Sequence, residues 1–419
     1  MADIKKIIDG AINGQSYFIT GPAGVGKTYT IKKIYEELKM QNIPVALAST
    51  TGINALNLGG ITVHKLFGLT NRSDKGYIGF MKSSFLFRGI GIRLNKLKVI
   101  IIDEVSMLRA DTFELINEIL KQVTGLNKPF GGKSLIFTGD FYQIPPVVKN
   151  FEAKKTQWLF QSPDWINGNI KIVLMNEIFR QKEEKFIHFL QNIRLGKWNK
   201  QMEEIVEQCK KNKNLNDDNT KFFSTNEECD AWNKKKIDEI KGKEFTFIAE
   251  IHGKRNKKYA HDKETMSKYC IAKEELKLKV GTKVISIIND KDGEYVNGSI
   301  GIVKSLFNEP NKQYAEVLFE NNKLNKIKKH LWVKQNFSGK KVATMKQMPL
   351  IPAYALTIHK SQGMTLDKAI VDCKNIFASG QMYVALSRVK TLEGLKIVNF
   401  NKKNIIVNKD VEKFYHNIK

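Results

Sequence analysis

The stretch GPAGVGKT, residues 21–28, follows a short apolar run, YFIT (17–20), and opens a segment in which Ile31, Ile34, Tyr35 and Leu38 recur at helical spacing. It fits the pattern of Gly, any four residues, then Gly-Lys-Thr in full, and it does so between a strand and a helix, the context that phosphate-binding loops require. The glycines let main-chain N–H groups wrap a chain of phosphates, helped by the positive end of the helix behind them. Gly21, Pro22, Ala23, Gly24, Val25 and Gly26, with Lys27, Thr28 and Tyr29, are therefore the expected nucleotide cradle. Lys27 is expected to reach the β- and γ-phosphates, and the Thr28 hydroxyl to ligate Mg²⁺.

Working outward, the first 180 residues alternate apolar runs with helical periods: PVALAST (44–50), LKVIII (97–102), SLIFT (134–138) and KIVLM (171–175) read as further strands. Continuous apolar strands alternating with helices imply an α/β fold with a parallel sheet covered on both faces. DTFELINEIL follows the third run, with Asp111 as its expected N-cap and Glu114 three residues on. IIIDEVSM (100–107) ends a strand in two carboxylates. Asp103 suits Mg²⁺, and Glu104 suits the orientation and activation of a water. A nucleotide transferase has no need of the second carboxylate, so the pair favours hydrolysis of ATP. FTGDFYQIPPV (137–147) places Gln143 where an amide can feel a γ-phosphate.

Composition adds a partner class. Lys plus Arg number 69 against 43 Asp plus Glu, a formal net charge of +26, which favours a polyanion. The four cysteines are too dispersed for a zinc knuckle and read as reduced thiols. No apolar run approaches the roughly 20 residues that cross a bilayer, and the first residues intersperse charges among apolar positions, unlike a signal peptide. The expectation is a soluble intracellular chain with no membrane partner.

Beyond Gln181, Phe186, Phe189, Leu190 and Ile193 form a helical stripe that Gly196 stops, and Thr225 with Glu228 forms a capping box. KVISII, SIGIVKSLF and QYAEVLF, with a turn at Asn297-Gly298, then read as a small β-barrel inserted at 276–341, after which the α/β pattern resumes.

The order of motifs resembles that of superfamily 1B helicases of the Pif type (the Pif/RecD/Dda branch). The series is the phosphate loop, STTGINALNLGGITVHKLFG, IIIDEVSM, TGDFYQIPPV, LMNEIFRQ, TIHKSQGMT and YVALSRV, and it spans about residues 14–397. LKVGTKVISIIND and YVNGSIGIV resemble the family's barrel. The resemblance implies two RecA-like parallel-sheet domains with ATP between them: residues 1–180, carrying a small wedge insertion at about 68–92, and residues 181–275 with 342–419. It implies a 5′-to-3′ DNA helicase that translocates on single-stranded DNA and opens forks, in replication, repair, recombination and telomere maintenance. By motif, Arg180 and Arg388 complete the γ-phosphate site from the second domain, and Gly363, after Gln362, turns the backbone toward the nucleotide. Thr50, Thr51, Gly52 and Asn54, with His64, Lys65 and Phe67, form one strand grip; Thr357, His359, Lys360 and Ser361 form the other. His64 and Phe67 are expected to stack on bases. Asn71–Phe87 mixes basic and aromatic residues, as a wedge would. Four-stranded guanine structures are a further candidate partner, and a monomer is the expected state. One departure stands out: the family's adenine-reading Gln has no counterpart at residues 1–5, and Gln15 lies too close to the strand. A translocase that remodels complexes without unwinding, an RNA helicase, and a non-catalytic single-strand binding module are the alternatives.

Overall fold

The computed structural model describes residues 3–51, 54–55, 58–69, 85–146, 158–253, 270, 272–288, 290, 292–295, 298–310, 312–335 and 341–418. Gly52 and most of the expected wedge lie outside the described residues.

The first sheet has six strands: β1 (Tyr17–Thr20), β2 (Val45–Ser49), β3 (Ile61–Thr62), β4 (Val99–Asp103), β5 (Ser134–Gly139) and β6 (Lys171–Leu174). Their order is β3-β2-β4-β5-β1-β6, and every pairing is parallel. The strands β1, β4 and β5 are buried along their whole length because both faces are covered. Phe18, Ile100, Ile102 and Phe137 point into one core, with Phe113, Ile116 and Leu120 of the helix Ala110–Thr124. Tyr17, Ile19, Ile101 and Ile136 point into the other, with Ile31, Ile34 and Leu38 of the helix Lys27–Met40. Successive residues of a strand alternate faces, so each strand feeds both cores. Each fully buried Phe or Ile contributes about 1.5–3 kcal/mol. Asp111 is not the cap of its helix: Arg109 holds that position, and Asp111 accepts from the Arg109 guanidinium at 2.6 Å.

Parallel strands direct all their carboxyl ends to one edge, where ligands of such sheets bind. Here that edge gathers the loop after β1, Thr50 and Thr51 after β2, Asp103 at the end of β4, and Asp140 and Gln143 after β5.

The second half begins with the helix Glu184–Arg194, which ends before Gly196 in a left-handed conformation, as expected. The helix Lys200–Lys210 is next, followed by β7 (Lys221–Phe223) and the helix Asn226–Asp238 with the Thr225–Glu228 capping box in place. An antiparallel region follows: β8 (Phe245–Ile248), β9 (Glu250–Gly253), β10 (Glu275–Leu278), β11 (Lys283–Ser286), β12 (Ile300–Glu309), β13 (Lys312–Phe319), β14 (Leu324–Lys328), β15 (His330–Gln335), β16 (Lys341–Gln347) and β17 (Leu350–Pro352). It starts and ends outside the expected 276–341. It forms three hydrogen-bonded sheets, β14-β13-β12-β11-β17, β15-β16-β9 and β10-β8. Gln347, at the end of β16, ties the last two of these together, its side-chain amide donating to the carbonyls of Phe247, Lys273 and Glu274.

The chain then returns to a second parallel sheet through β18 (Ala355–Thr357), β19 (Ala369–Asp372) and β20 (Leu395–Val398), ordered β18-β7-β19-β20. Strand β18 lies at the edge, and Asn233 meets its outward groups: the amide donates to Ala355 O and accepts from Ala355 N–H, both at 2.9 Å. A side chain thus stands where a neighbouring strand would.

One boundary differs from the sequence reading. Residues 342–419 were expected to complete the second domain, but the last helix, Lys409–Asn417, packs on the first. Val411, Phe414 and Tyr415 join the core built on Phe18, Phe141 and Trp165. The Tyr415 hydroxyl lies 2.6 Å from Thr20 Oγ1 and accepts from Phe141 N–H at 3.2 Å. Against this helix comes Arg194 from the second half. Its guanidinium grips the fully buried Asp140 carboxylate with two bonds, 3.0 and 2.7 Å, and covers the Tyr142 ring at 4.3 Å. Burial disfavours the Arg194 charge, but Asp140 outweighs it and holds the guanidinium firmly protonated. Replacing Arg194 with Ala leaves a buried carboxylate unanswered, at a cost of about 3–5 kcal/mol. Urea denaturation of Arg194→Ala should show a lower midpoint, and adding Asp140→Asn should restore part of it.

Candidate active site and strand grips

At the carboxyl edge of the first sheet the loop Gly21–Gly26 turns into its helix through Gly26 in a left-handed conformation. Gly24 is also left-handed, and a Cβ there would lie 2.7 Å from the Arg180 Cβ, so only Gly lets the loop meet the segment after β6. Val25 is buried beneath the loop, which places its side chain in a supporting role. Lys27 donates to the carbonyls of Gly21 and Pro22 at 2.7 and 2.9 Å. Burial pushes its amine down, and Asp140, Glu104 and Asp103 oppose that shift. Tyr29 is exposed, with the Lys33 ammonium 4.8 Å from its ring centre. Gln15 is tied to main chain, donating to Asn169 O at 2.7 Å.

Asp103 is buried; its carboxylate accepts from the Thr138 hydroxyl and from Glu104 N–H. Burial, then the neighbouring Glu104, pushes its carboxyl up to about 7. The Thr28 hydroxyl lies 3.5 Å from its Oδ2. One carboxylate and one hydroxyl fit a hard cation that takes its other ligands from phosphates and water, as Mg²⁺ does. A cation would also answer the charge that burial disfavours. Glu104 has φ 56°, a left-handed conformation uncommon for a non-glycine residue. Its carbonyl accepts from Thr50 Oγ1 at 2.8 Å and its carboxylate from Gln362 Nε2 at 3.0 Å.

The second half reaches this edge. Arg180 donates to Ser387 O at 3.0 Å; Arg388, fully buried, donates to Val384 O at 2.8 Å and to Ser387 Oγ at 2.9 Å. Burial and then Arg180 push the Arg388 guanidinium down to about 9, while Glu104 opposes the shift. Burial likewise lowers Arg180. The oxygens that the two arginines bond are carbonyls and a hydroxyl, which satisfy geometry but do not cancel charge. Gln143 is buried beside this junction, where a Cβ on Gly380 would lie 2.7 Å from its carbonyl.

Three of the expected grip residues are placed otherwise. Phe67 is fully buried in the first-domain core, so its ring supports the helix Val63–Phe67 instead of stacking on a base. Ser361 is fully buried and its hydroxyl donates to Ile358 O at 2.7 Å. Thr357 is also buried and its Oγ1 accepts from Lys360 N–H. These hydroxyls shape the turn and are not presented to a strand. The exposed members are His64 and Lys360, with Lys65 and His359 half-buried. Thr50, as above, is bound to Glu104; Thr51 Oγ1 accepts from Asn54 N–H, and Asn54 is buried against Gly363.

Sequence reasoning missed three residues. Tyr383, buried in YVALSRV, accepts from the N–H of Ala23 in the phosphate loop at 2.7 Å. Its position five residues before Arg388 was the one available signal. Phe377, exposed, lies parallel to His359 with ring centres 6.4 Å apart. Arg194, described above, carries no local signal.

The PIF1-like helicase family model matches residues 2–204. The chain is 31% identical over 445 residues to the ATP-dependent DNA helicase Pif1 of Psychrobacter, covering 93% of this chain and 66% of that protein. It is 31% identical over 406 residues to the ATP-dependent DNA helicase Pif1 of Bdellovibrio bacteriovorus, covering 96% of this chain and 88% of that one. Among solved structures, the crystal structure of Pif1 helicase from Candida albicans aligns with a TM-score of 0.85 at 31% identity, over 100% of this chain and 99% of that chain. The chain therefore spans just under two thirds of the length of some curated relatives, and it is a member of the PIF1-like helicase family.

Proposed function

We propose that the chain is an ATP-hydrolysing motor that translocates 5′ to 3′ on single-stranded DNA and separates duplex at a fork. The observation that carries this reading is the pair formed by half-buried Arg180, on the segment that joins the two halves, and fully buried Arg388, from the second half, beside the loop that follows β1. One fully buried and one half-buried guanidinium, hydrogen-bonded among the described residues to neutral oxygens, are electrostatically incomplete, and a triphosphate on that loop completes them.

The residues divide the work as follows. Loop N–H groups and Lys27 bind the phosphates, which requires Lys27 to turn from the carbonyls of Gly21 and Pro22. Thr28 and Asp103 would hold Mg²⁺, which when bound neutralises phosphate charge. Glu104 orients and deprotonates the attacking water, Gln143 faces the γ-phosphate, and the arginines stabilise charge that builds as the bond breaks. Loss of that phosphate removes the anion that joins the halves. If the two grips then alternate in affinity, the strand advances. Lys360, His64 and Lys65 supply the charge of those grips, and the Phe377–His359 pair offers bases a flat face. The relatives' names, ATP-dependent DNA helicase, support this reading over the RNA and non-catalytic alternatives. A monomer on forked DNA is the working state in this proposal.

Three measurements test it. Arg388→Ala should lower ATP turnover by about 10³–10⁵-fold while oligonucleotide binding persists, because such arginines act on the transition state; turnover near that of the unaltered chain would remove Arg388 from the site. Unwinding should occur with 5′-tailed but not 3′-tailed DNA duplexes, and a preference for RNA or for the opposite tail would overturn the assigned substrate or polarity. Lys360→Ala should weaken binding alike for all sequences and reduce the salt slope by about 0.7, the value for one phosphate contact on a single strand. Anisotropy titrations across salt concentrations read that slope directly.

A further inference from the structure

The turn after β18 is stiff. Ser361 N–H donates to Thr357 O at 3.0 Å, Met364 N–H to Ser361 O at 2.9 Å, and the Ser361 hydroxyl to Ile358 O at 2.7 Å. From this one piece Lys360 stands exposed, while Gln362, two residues on, is buried. Gln362 Nε2 donates to Glu104 Oε2 at 3.0 Å across 258 residues of sequence. Its Oε1 is buried and, among the described residues, has no hydrogen-bond partner. A buried amide that keeps one atom unpaired is rarely a packing device. The other grip reaches the same residue, since Thr50 Oγ1 donates to Glu104 O at 2.8 Å. The two grips also touch each other: Gly363 is left-handed, and a Cβ there would lie 2.8 Å from Asn54 Oδ1.

We propose that Gln362 is a positioning residue that ties strand contact to hydrolysis. It sets the direction of the Glu104 carboxylate through one hydrogen bond and moves with the turn that carries Lys360 and His359. A strand phosphate that draws this turn shifts the donor on Glu104, and the unpaired Oε1 gives a group entering the cleft an acceptor beside that carboxylate. The proposal rests on the motor reading above and adds the route by which the strand regulates its ATP site.

The test is steady-state ATP hydrolysis with and without oligothymidine for the unaltered chain, Gln362→Leu and Gln362→Glu. Leu keeps the bulk and removes both polar atoms; Glu keeps the shape but sets a like charge against Glu104. Both variants should lose about tenfold or more of kcat at saturating oligothymidine, with KM for ATP and oligothymidine affinity within about twofold, the pattern of an interaction expressed in the transition state. The ratio of stimulated to unstimulated rate should fall with kcat. Full stimulation in either variant overturns the proposal. So does a loss of kcat matched by equal losses of oligothymidine affinity and melting temperature, which marks a structural role. An unaltered chain whose turnover ignores oligothymidine overturns the motor reading together with the proposal, whereas stimulated unaltered protein beside undiminished variants overturns the proposal alone.

Discussion

A guanidinium taken out of water has to be answered, and at Arg388 it is answered by a carbonyl and a hydroxyl. Neither carries a formal charge, and Arg180 beside it adds to the strain. Much of the rest of the molecule serves to hold that pair at the phosphate loop. The first sheet sends its loop and carboxylates to one edge because its strands are parallel. The second sheet places the helix Gln381–Leu386 against that edge, with Tyr383 on the Ala23 amide. The core of the second half even includes the Ala23 side chain. The phosphate loop therefore belongs to both halves, and a change in what it holds is felt by both.

The same economy appears in Glu104. It ends a buried strand, adopts a left-handed backbone, and is bonded from Thr50 on one side and Gln362 on the other. Strained backbone persists only where surroundings over-determine it. Here the surroundings are the two segments expected to grip the strand.

The parts legible in the sequence are those whose residues are neighbours. The loop Gly21–Thr28 and the pair Asp103–Glu104 can be read directly because strand, turn and helix follow one another in the chain. Five of the six strands of the first sheet were legible for the same reason; β3, two residues long, was not. Arg180 and Arg388 were reached only through the resemblance of whole motifs. The contacts Arg194–Asp140, Tyr383–Ala23 and Gln362–Glu104 join residues 54, 360 and 258 positions apart, and no periodicity encodes them. Phe67 and Ser361 were misplaced because a grip needs support from beneath as well as contact above, and an aromatic or hydroxyl suits either task. The antiparallel region was read too narrowly at its start because β8 (Phe245–Ile248) and β9 (Glu250–Gly253) are four residues long and follow a charged helix.

The docking of the last helix onto the first sheet's core has a mechanical consequence. The polypeptide crosses from one lobe to the other before Glu184 and crosses back before Lys409. A body joined to another at a single point can swivel freely, but one joined at two can turn only about the line through them. In the proposed motor, the opening of the cleft is thus guided by two connections, which leave less freedom for sideways motion than one would.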